Sequence, residues 1–261
     1  MTDIYEEIVK LKAEGGSAAL ATIIGIKGST PREAGAKMLI REDGTILGTI
    51  GGGSLEARVI TEALDVIREE EPRQFHYDLT GQEADGLGMI CGGALDVYIE
   101  PLIPTPTVFI FGGGHISLFA SKISVMAGFQ SVVIDDRAEF ANKERFPEAR
   151  QVIAGKFQAA FPQLKVNRSG YVVIVTRGHA FDQEALEWAI TTEAGYIGMI
   201  GSRKKIRAIY ENLEKKGVAR ERLQRVFAPI GLDIGALTPA EIAVAIVAQM
   251  IRVRRGAKDK E

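Results

Sequence analysis

The sequence predicts an α/β protein in two parts. A glycine-rich α+β N-terminal domain over residues 1–103 is followed by a Rossmann-like, doubly wound parallel-sheet domain over residues 104–261. Three observations carry this. Glycines cluster at Gly51-Gly52-Gly53, at Gly86-Leu87-Gly88 with Gly92-Gly93, and at Gly112-Gly113-Gly114. Glycine loses the most backbone entropy on folding, so such clusters mark special backbone angles or a close approach to the main chain. Pro101, Pro104 and Pro106 stiffen residues 100–107, the best candidate linker. Beyond it, short apolar runs alternate with helical ones, the pattern of a parallel sheet covered on both faces.

In chain order, Ile4, Ile8, Val9 and Leu11 have helical spacing and predict a short opening helix. Residues 18–26 are apolar and rich in β-branched side chains, a buried strand. Residues 38–40 and 46–50 flank Asp43-Gly44, a hairpin signal. A helix is expected over 55–68, with Leu55, Val59, Ala63 and Ile67 on its inner face, and strands over 75–79 and 94–99. In the second part, strands are expected at 107–111, 131–135, 171–175 and 196–200. The helices between and after them are expected at 116–127, 182–192, 203–216 and 239–252. Thr238-Pro239-Ala240-Glu241 is a helix-start signature for the last of these.

Composition narrows the function classes. A formal net charge of -2 gives no reason to bind nucleic acid or an acidic membrane. One cysteine, Cys91, makes no internal disulfide, and the acidic start lacks an apolar signal core. The most apolar run, 242–251, is about half the length of a bilayer span and contains Gln249. A cytoplasmic protein is expected.

Several segments carry chemistry. Gly112-Gly113-Gly114-His115 follows a strand and opens a helix, as a dinucleotide turn does, and Asp135 ends the next strand where it could grip a ribose hydroxyl. Ser117 stands where the third glycine of that fingerprint belongs, and the turn could equally serve helix–strand packing alone. Ser202, Arg203 and Lys204, with Lys205, start a helix whose dipole opposes cations, so an anion over Ser202 would explain them as well as a solvated basic turn. Arg177 and His179 lie after a strand end, where ligands of open α/β sheets sit, His179 as a proton donor or orienting group. Asp182 reads as the N-cap of the helix that follows. Cys91, between glycines, could ligate a soft metal, carry sulfur, or simply be a small apolar residue. Gly28 to Gly35, with Arg32, suits an oxyanion cradle or an ordinary turn.

Taken together, these stretches resemble the xanthine dehydrogenase accessory factors, the XdhC/CoxI family, over nearly the whole chain. The N-terminal likeness rests on residues 28–35, on 48–56 ending in Glu56, on Met89-Ile90-Cys91-Gly92-Gly93, and on Glu100-Pro101-Leu102. The C-terminal likeness rests on 111–116, Asp135-Asp136-Arg137, Thr176-Arg177-Gly178-His179, 198–205 and 229–236. The resemblance implies a cofactor chaperone rather than a catalyst. Such a protein holds the molybdenum cofactor, a phosphorylated pterin dithiolene (molybdopterin), while a cysteine desulfurase supplies the sulfido ligand, then delivers it to an apo molybdenum hydroxylase. Some members dimerise, so a homodimer is expected. In that reading Cys91 contacts molybdenum or its incoming sulfur. Arg32, Gly51, Gly52, Gly53, Glu56, Gly92 and Gly93 line one part of the ligand site. Gly112, Gly113, Gly114, His115, Asp135, Arg177, Ser202, Arg203 and Lys204 take the phosphate or an NAD(P)-like nucleotide. Ser54 stands where some relatives have cysteine, so one chain offers no second thiol. Two rivals remain: an NAD(P)-dependent oxidoreductase with the N-terminal half as substrate domain, and a nucleotide-sensing regulatory partner of a hydroxylase.

Overall fold

A computed structural model describes residues 3–79 and 92–257. The chain divides into two compact units, Met1–Pro104 and Thr105–Glu261.

In the first unit, α1 (Ile4–Glu14) is capped by Asp3, whose carboxylate accepts from the Tyr5 amide at 3.1 Å. It stops at Gly15 in the left-handed conformation. Then follow β1 (Ala18–Lys27), β2 (Lys37–Arg41), β3 (Ile46–Gly48), α2 (Gly53–Glu69), β4 (Arg73–Asp78) and β5 (Ala94–Leu102). The strands form an antiparallel sheet in the order β3-β2-β1-β5-β4. Alternation along β1 sends Ala19, Ala21 and Ile23 under α2 and Ala18 and Leu20 under α1. The buried stripe of α2 is Leu55, Val59, Ala63 and Val66, so the fourth position is Val66, and the expected Ile67 lies at its margin. β5 runs on through Pro101 instead of ending at 99. Its pairing with β4 stops at Ile99, so beyond that point β5 is paired only to β1, and a proline is tolerated as it is on an edge.

The second unit contains β6 (Thr107–Phe111), α3 (His115–Met126), β7 (Gln130–Asp135), β8 (Gln151–Ala154), α4 (Phe157–Ala160), β9 (Gly170–Ile174) and α5 (His179–Ala189). It continues with β10 (Tyr196–Met199), α6 (Arg203–Lys215), α7 (Arg220–Gln224), β11 (Val226–Phe227) and α8 (Pro239–Arg254). All six strands are parallel, in the order β11-β10-β9-β6-β7-β8. This is the expected doubly wound sheet, with its switch point between β6 and β9. Phe109 and Phe111 pack on one face with α5 and α6, and Val108 and Ile110 on the other with α3 and α8. Each such buried aliphatic or aromatic side chain contributes about 1.5–3 kcal/mol. The two edge strands, β8 and β11, are not read from the sequence, because they are short and only partly buried.

α8 begins as expected, with the Thr238–Glu241 capping box and Pro239 in the first turn. Gln249 does not break it. Its buried Oε1 accepts from the Tyr196 hydroxyl at 2.7 Å and the Gly231 amide at 2.9 Å, which fastens the loop after β11. Among the described residues no helix is long and apolar enough to cross a membrane.

Candidate functional site

Three of the sequence-marked stretches of the first unit meet at one end of its sheet. The turn after β1 passes Gly93 so closely that a Cβ there would lie 2.3 Å from the Ser29 carbonyl oxygen and 2.6 Å from that of Lys27. Gly28 takes a positive φ of 73°, and a Cβ on it would sit 3.0 Å from the Gly92 oxygen. Pro31 packs on Gly51, where a Cβ would come within 2.6 Å of its ring. Bare backbone is therefore a packing requirement at Gly93 and Gly51. Gly52 and Gly92 differ, because among the described residues a Cβ on either would meet nothing within 4 Å. Arg32 is exposed on the same turn. Cys91, with Gly86 and Gly88, lies outside the described residues.

Glu56 shapes the loop before α2. Its Oε1 accepts from the Thr49 hydroxyl, the Ile50 amide at 3.1 Å and the Gly52 amide at 3.0 Å. Burial pushes the Glu56 carboxyl up, but these donors outweigh it and hold the group below its ordinary value. Gly51, Gly52 and Gly53 all have positive φ, which lets the loop fold onto that single oxygen. Glu56 is thus engaged by its own loop.

In the second unit a cavity of about 260 Å³ opens at the carboxyl ends of β6, β7 and β9. It gathers Gly112, Gly114, His115, Asp135 and Arg177 from the sequence reading, and adds Arg137, Thr176 and Pro239. Gly112, at φ 108°, passes under Val175, whose carbonyl oxygen would lie 2.5 Å from a Cβ. Gly113 is as tight, 2.3 Å from the Phe140 oxygen, whereas Gly114 is open. Asp135 is 4% exposed and already saturated. Its Oδ2 accepts from the Gly113 amide at 2.7 Å and from Arg137 Nη2 at 3.0 Å. Its Oδ1 accepts from the Arg137 amide at 3.0 Å and from Nε at 2.9 Å. Burial raises the Asp135 carboxyl, but Arg137 and the two amides bring it below the ordinary carboxylate value. Asp135 therefore braces the glycine turn. Arg177 pairs with Asp136 at 2.8 Å and covers the Phe181 ring.

The basic stretch after β10 does not act as one patch. Ser202 is the N-cap of α6, accepting from the Lys205 amide at 3.3 Å. Lys205 turns inward and forms an ion pair with Asp182, which is fully buried. Arg203 and Lys204 are exposed and do not line the cavity at the sheet. Asp182 is not a cap, a correction to the sequence reading. α5 starts at His179 with Gly178 as N-cap, and Asp182 instead accepts from the Thr176 hydroxyl at 2.7 Å. His179 is exposed in the first turn of α5 and is not among the cavity's lining residues. The Asp182–Lys205 pair left no signal in the sequence, because its members are far apart along the chain. Ser117 is fully buried, and its hydroxyl has no hydrogen-bond partner among the described residues.

Comparisons with known proteins converge on one family. A family model described as the XdhC Rossmann domain matches residues 108–250, and one described as the XdhC and CoxI family matches residues 11–78. The chain is 37% identical over 256 residues to the uncharacterized protein YqeB of Escherichia coli (strain K12). That match covers 98% of this chain and 47% of YqeB, so the chain spans about half of that relative. It is 22% identical over 337 residues to a probable xanthine dehydrogenase subunit of Bacillus subtilis (strain 168), covering 98% of each. It is 20% identical over 308 residues to the molybdenum cofactor insertion chaperone PaoD of Escherichia coli (strain K12), covering 97% of this chain and 90% of PaoD. A crystal structure described as a xanthine dehydrogenase from Bacillus halodurans superposes with a TM-score of 0.54 and 27% identity, over 99% of this chain and 97% of that one.

Proposed function

Because the chain belongs to the XdhC and CoxI family, we propose that it is an accessory protein of molybdenum cofactor maturation. In this reading it binds the molybdenum cofactor, supports its sulfuration and delivers it to a xanthine dehydrogenase-type hydroxylase. The observation that carries the reading is the junction of the Gly28–Gly35 turn, the Gly51–Gly53 loop and Gly92–Gly93 at one end of the N-terminal sheet. The names of two relatives, an insertion chaperone and a probable dehydrogenase subunit, support it from outside the geometry.

The residues present fit the group. Among the described residues nothing fills the space that a Cβ on Gly52 or Gly92 would take, which suits a flat, bulky body lying against bare backbone. Arg32, exposed on the neighbouring turn, offers a counter-charge for an anionic ligand. Glu56 keeps the Gly51–Gly53 loop in shape by taking its amides. When bound, the cofactor supplies a molybdenum centre that accepts a terminal sulfido ligand. Cys91, next in sequence to Gly92, brings a soft thiolate donor to that metal or its incoming sulfur. A cysteine desulfurase as sulfur source, a homodimer and a cytoplasmic location belong to the same proposal.

NAD(P) or another nucleotide in the cavity at the β6–β9 switch point belongs to the same proposal, supported by the position of that cavity where open α/β sheets take ligands. Asp135, however, already takes four hydrogen bonds, so a ribose would have to displace Gly113 or Arg137 from it. That weighs against the oxidoreductase reading.

Equilibrium binding of purified molybdenum cofactor to the full chain tests the proposal, with Cys91→Ala as the paired variant. The unsubstituted chain is expected to bind, and the variant to bind about tenfold or more weakly, the loss of one strong directed contact. Equal binding would remove the thiol from the site. No binding by either would remove the cofactor.

A further inference from the structure

A second concavity, of about 630 Å³, lies between α6 and α7, and the cavity at the sheet shares no lining residue with it. We propose that this groove is a separate binding site for a phosphate-bearing flat ring, a nucleoside phosphate in chemical class. The proposal does not rest on the cofactor reading.

Arg203 and Arg207 stand one turn apart on the same face of α6. Like charges at this spacing repel, and cations in the first turn of a helix oppose its dipole, so both features cost stability where they are. Among the described residues neither guanidinium has an ion pair or hydrogen bond, although Glu211 and Glu214 line the same groove further along α6. An anionic group at the start of the helix relieves both costs, and guanidinium pairs are well suited to phosphate. The next turn of α6 presents Tyr210, half-buried and available for stacking. Burial raises the Tyr210 hydroxyl above its ordinary value, so it stays protonated and can donate. Ile206, Leu223 and Ala228 supply an apolar floor, and Gln224 offers an amide to a ring edge. The volume lies within the range of small-molecule sites, about 300–1,000 Å³. Arg220 completes the lining from α7.

Calorimetric titration of the full chain with AMP and, separately, with inorganic phosphate tests the site. AMP is expected to bind in this groove, and more weakly as salt is raised. The double variant Arg203→Ala/Arg207→Ala is expected to lower AMP affinity by about tenfold or more, as lost charge-assisted contacts do. Tyr210→Leu is expected to weaken AMP but not phosphate, and Lys122→Ala, exposed on α3 at the other face of the sheet, to change neither. Both arginines are exposed, and an unchanged circular dichroism spectrum will confirm that the double variant folds. The proposal is overturned if millimolar AMP does not bind. It is equally overturned if AMP binding survives the double variant undiminished, as it would were AMP held in the cavity at the sheet.

Discussion

Replacing Asp135 with asparagine isolates the brace under the glycine turn. The carboxylate accepts four hydrogen bonds, two on each oxygen, with donor distances of 2.7–3.0 Å. Asparagine keeps the shape and one acceptor oxygen, but its amide nitrogen faces two donors at the other position. Two contacts are lost, the Arg137 charge keeps only its longer approach to Asp136 at 3.9 Å, and Asp135 is 4% exposed, so water cannot easily substitute beneath it. Breaking a buried pair of this kind costs about 3–5 kcal/mol. Trp188 is the single tryptophan and packs on Phe161 and Phe111 in the second unit, so its fluorescence reports the unfolding of that unit alone. With a urea dependence of about 2 kcal/mol per M, the midpoint falls by roughly 2 M. The sign with pH follows from the depressed carboxyl. The contribution is present above the unfolded value, about 3.9, and is lost as pH falls through the lower folded value. The gap between the two proteins therefore closes in acid. A midpoint shift under about 0.5 M at pH 7 would show that Arg137 and Gly113 find other partners, and the argument for a brace would fail.

Two further substitutions test the other polar locks. Lys205→Met leaves the Asp182 carboxylate buried without its cation and is expected to destabilise the second unit by about 3–5 kcal/mol, read from the same Trp188 transition. A loss below about 1 kcal/mol would mean that the Thr176 hydroxyl alone suffices. Glu56→Ala frees the Ile50 and Gly52 amides and is expected to cost about 1–2 kcal/mol, as loss of a helix cap does. Its measure is faster hydrogen exchange at those two amides. In the unsubstituted chain the same amides should speed up as pH, corrected for intrinsic exchange, falls through the depressed Glu56 value. Unchanged protection in the variant would show that the positive-φ glycines hold the loop unaided.

The polar locks also show where reading the sequence runs out. Asp135 was legible as a residue at a strand end, and the turn at Gly112 as a turn, but not the fact that one fills the other. Asp182 reads locally as a cap because acidic residues often precede helices. The helix in fact begins earlier, at His179, and the aspartate is drawn inside by Lys205 from the next helix. Arg203, Lys204 and Lys205 read as one basic cluster. Helix geometry sends Lys205 inward and Arg203 toward the groove, so adjacent cations serve different ends.

By itself the sequence determined the order and kind of nearly every long element. Periods of two and of 3.6 are local properties, and caps and turns need only a few neighbouring residues. It also determined the family likeness, because long motifs in a fixed order survive as strings. Only the tertiary structure decided which marked residues share a place. It joined the turn at Gly28 to the loops at Gly51 and Gly93, and separated Arg203 from the turn at Gly112. The physical reason is that hydrogen bonds and ion pairs act over a few ångströms through space, whatever the distance along the chain. A pairing such as Asp182 with Lys205 becomes visible only when the sheet brings its two helices side by side.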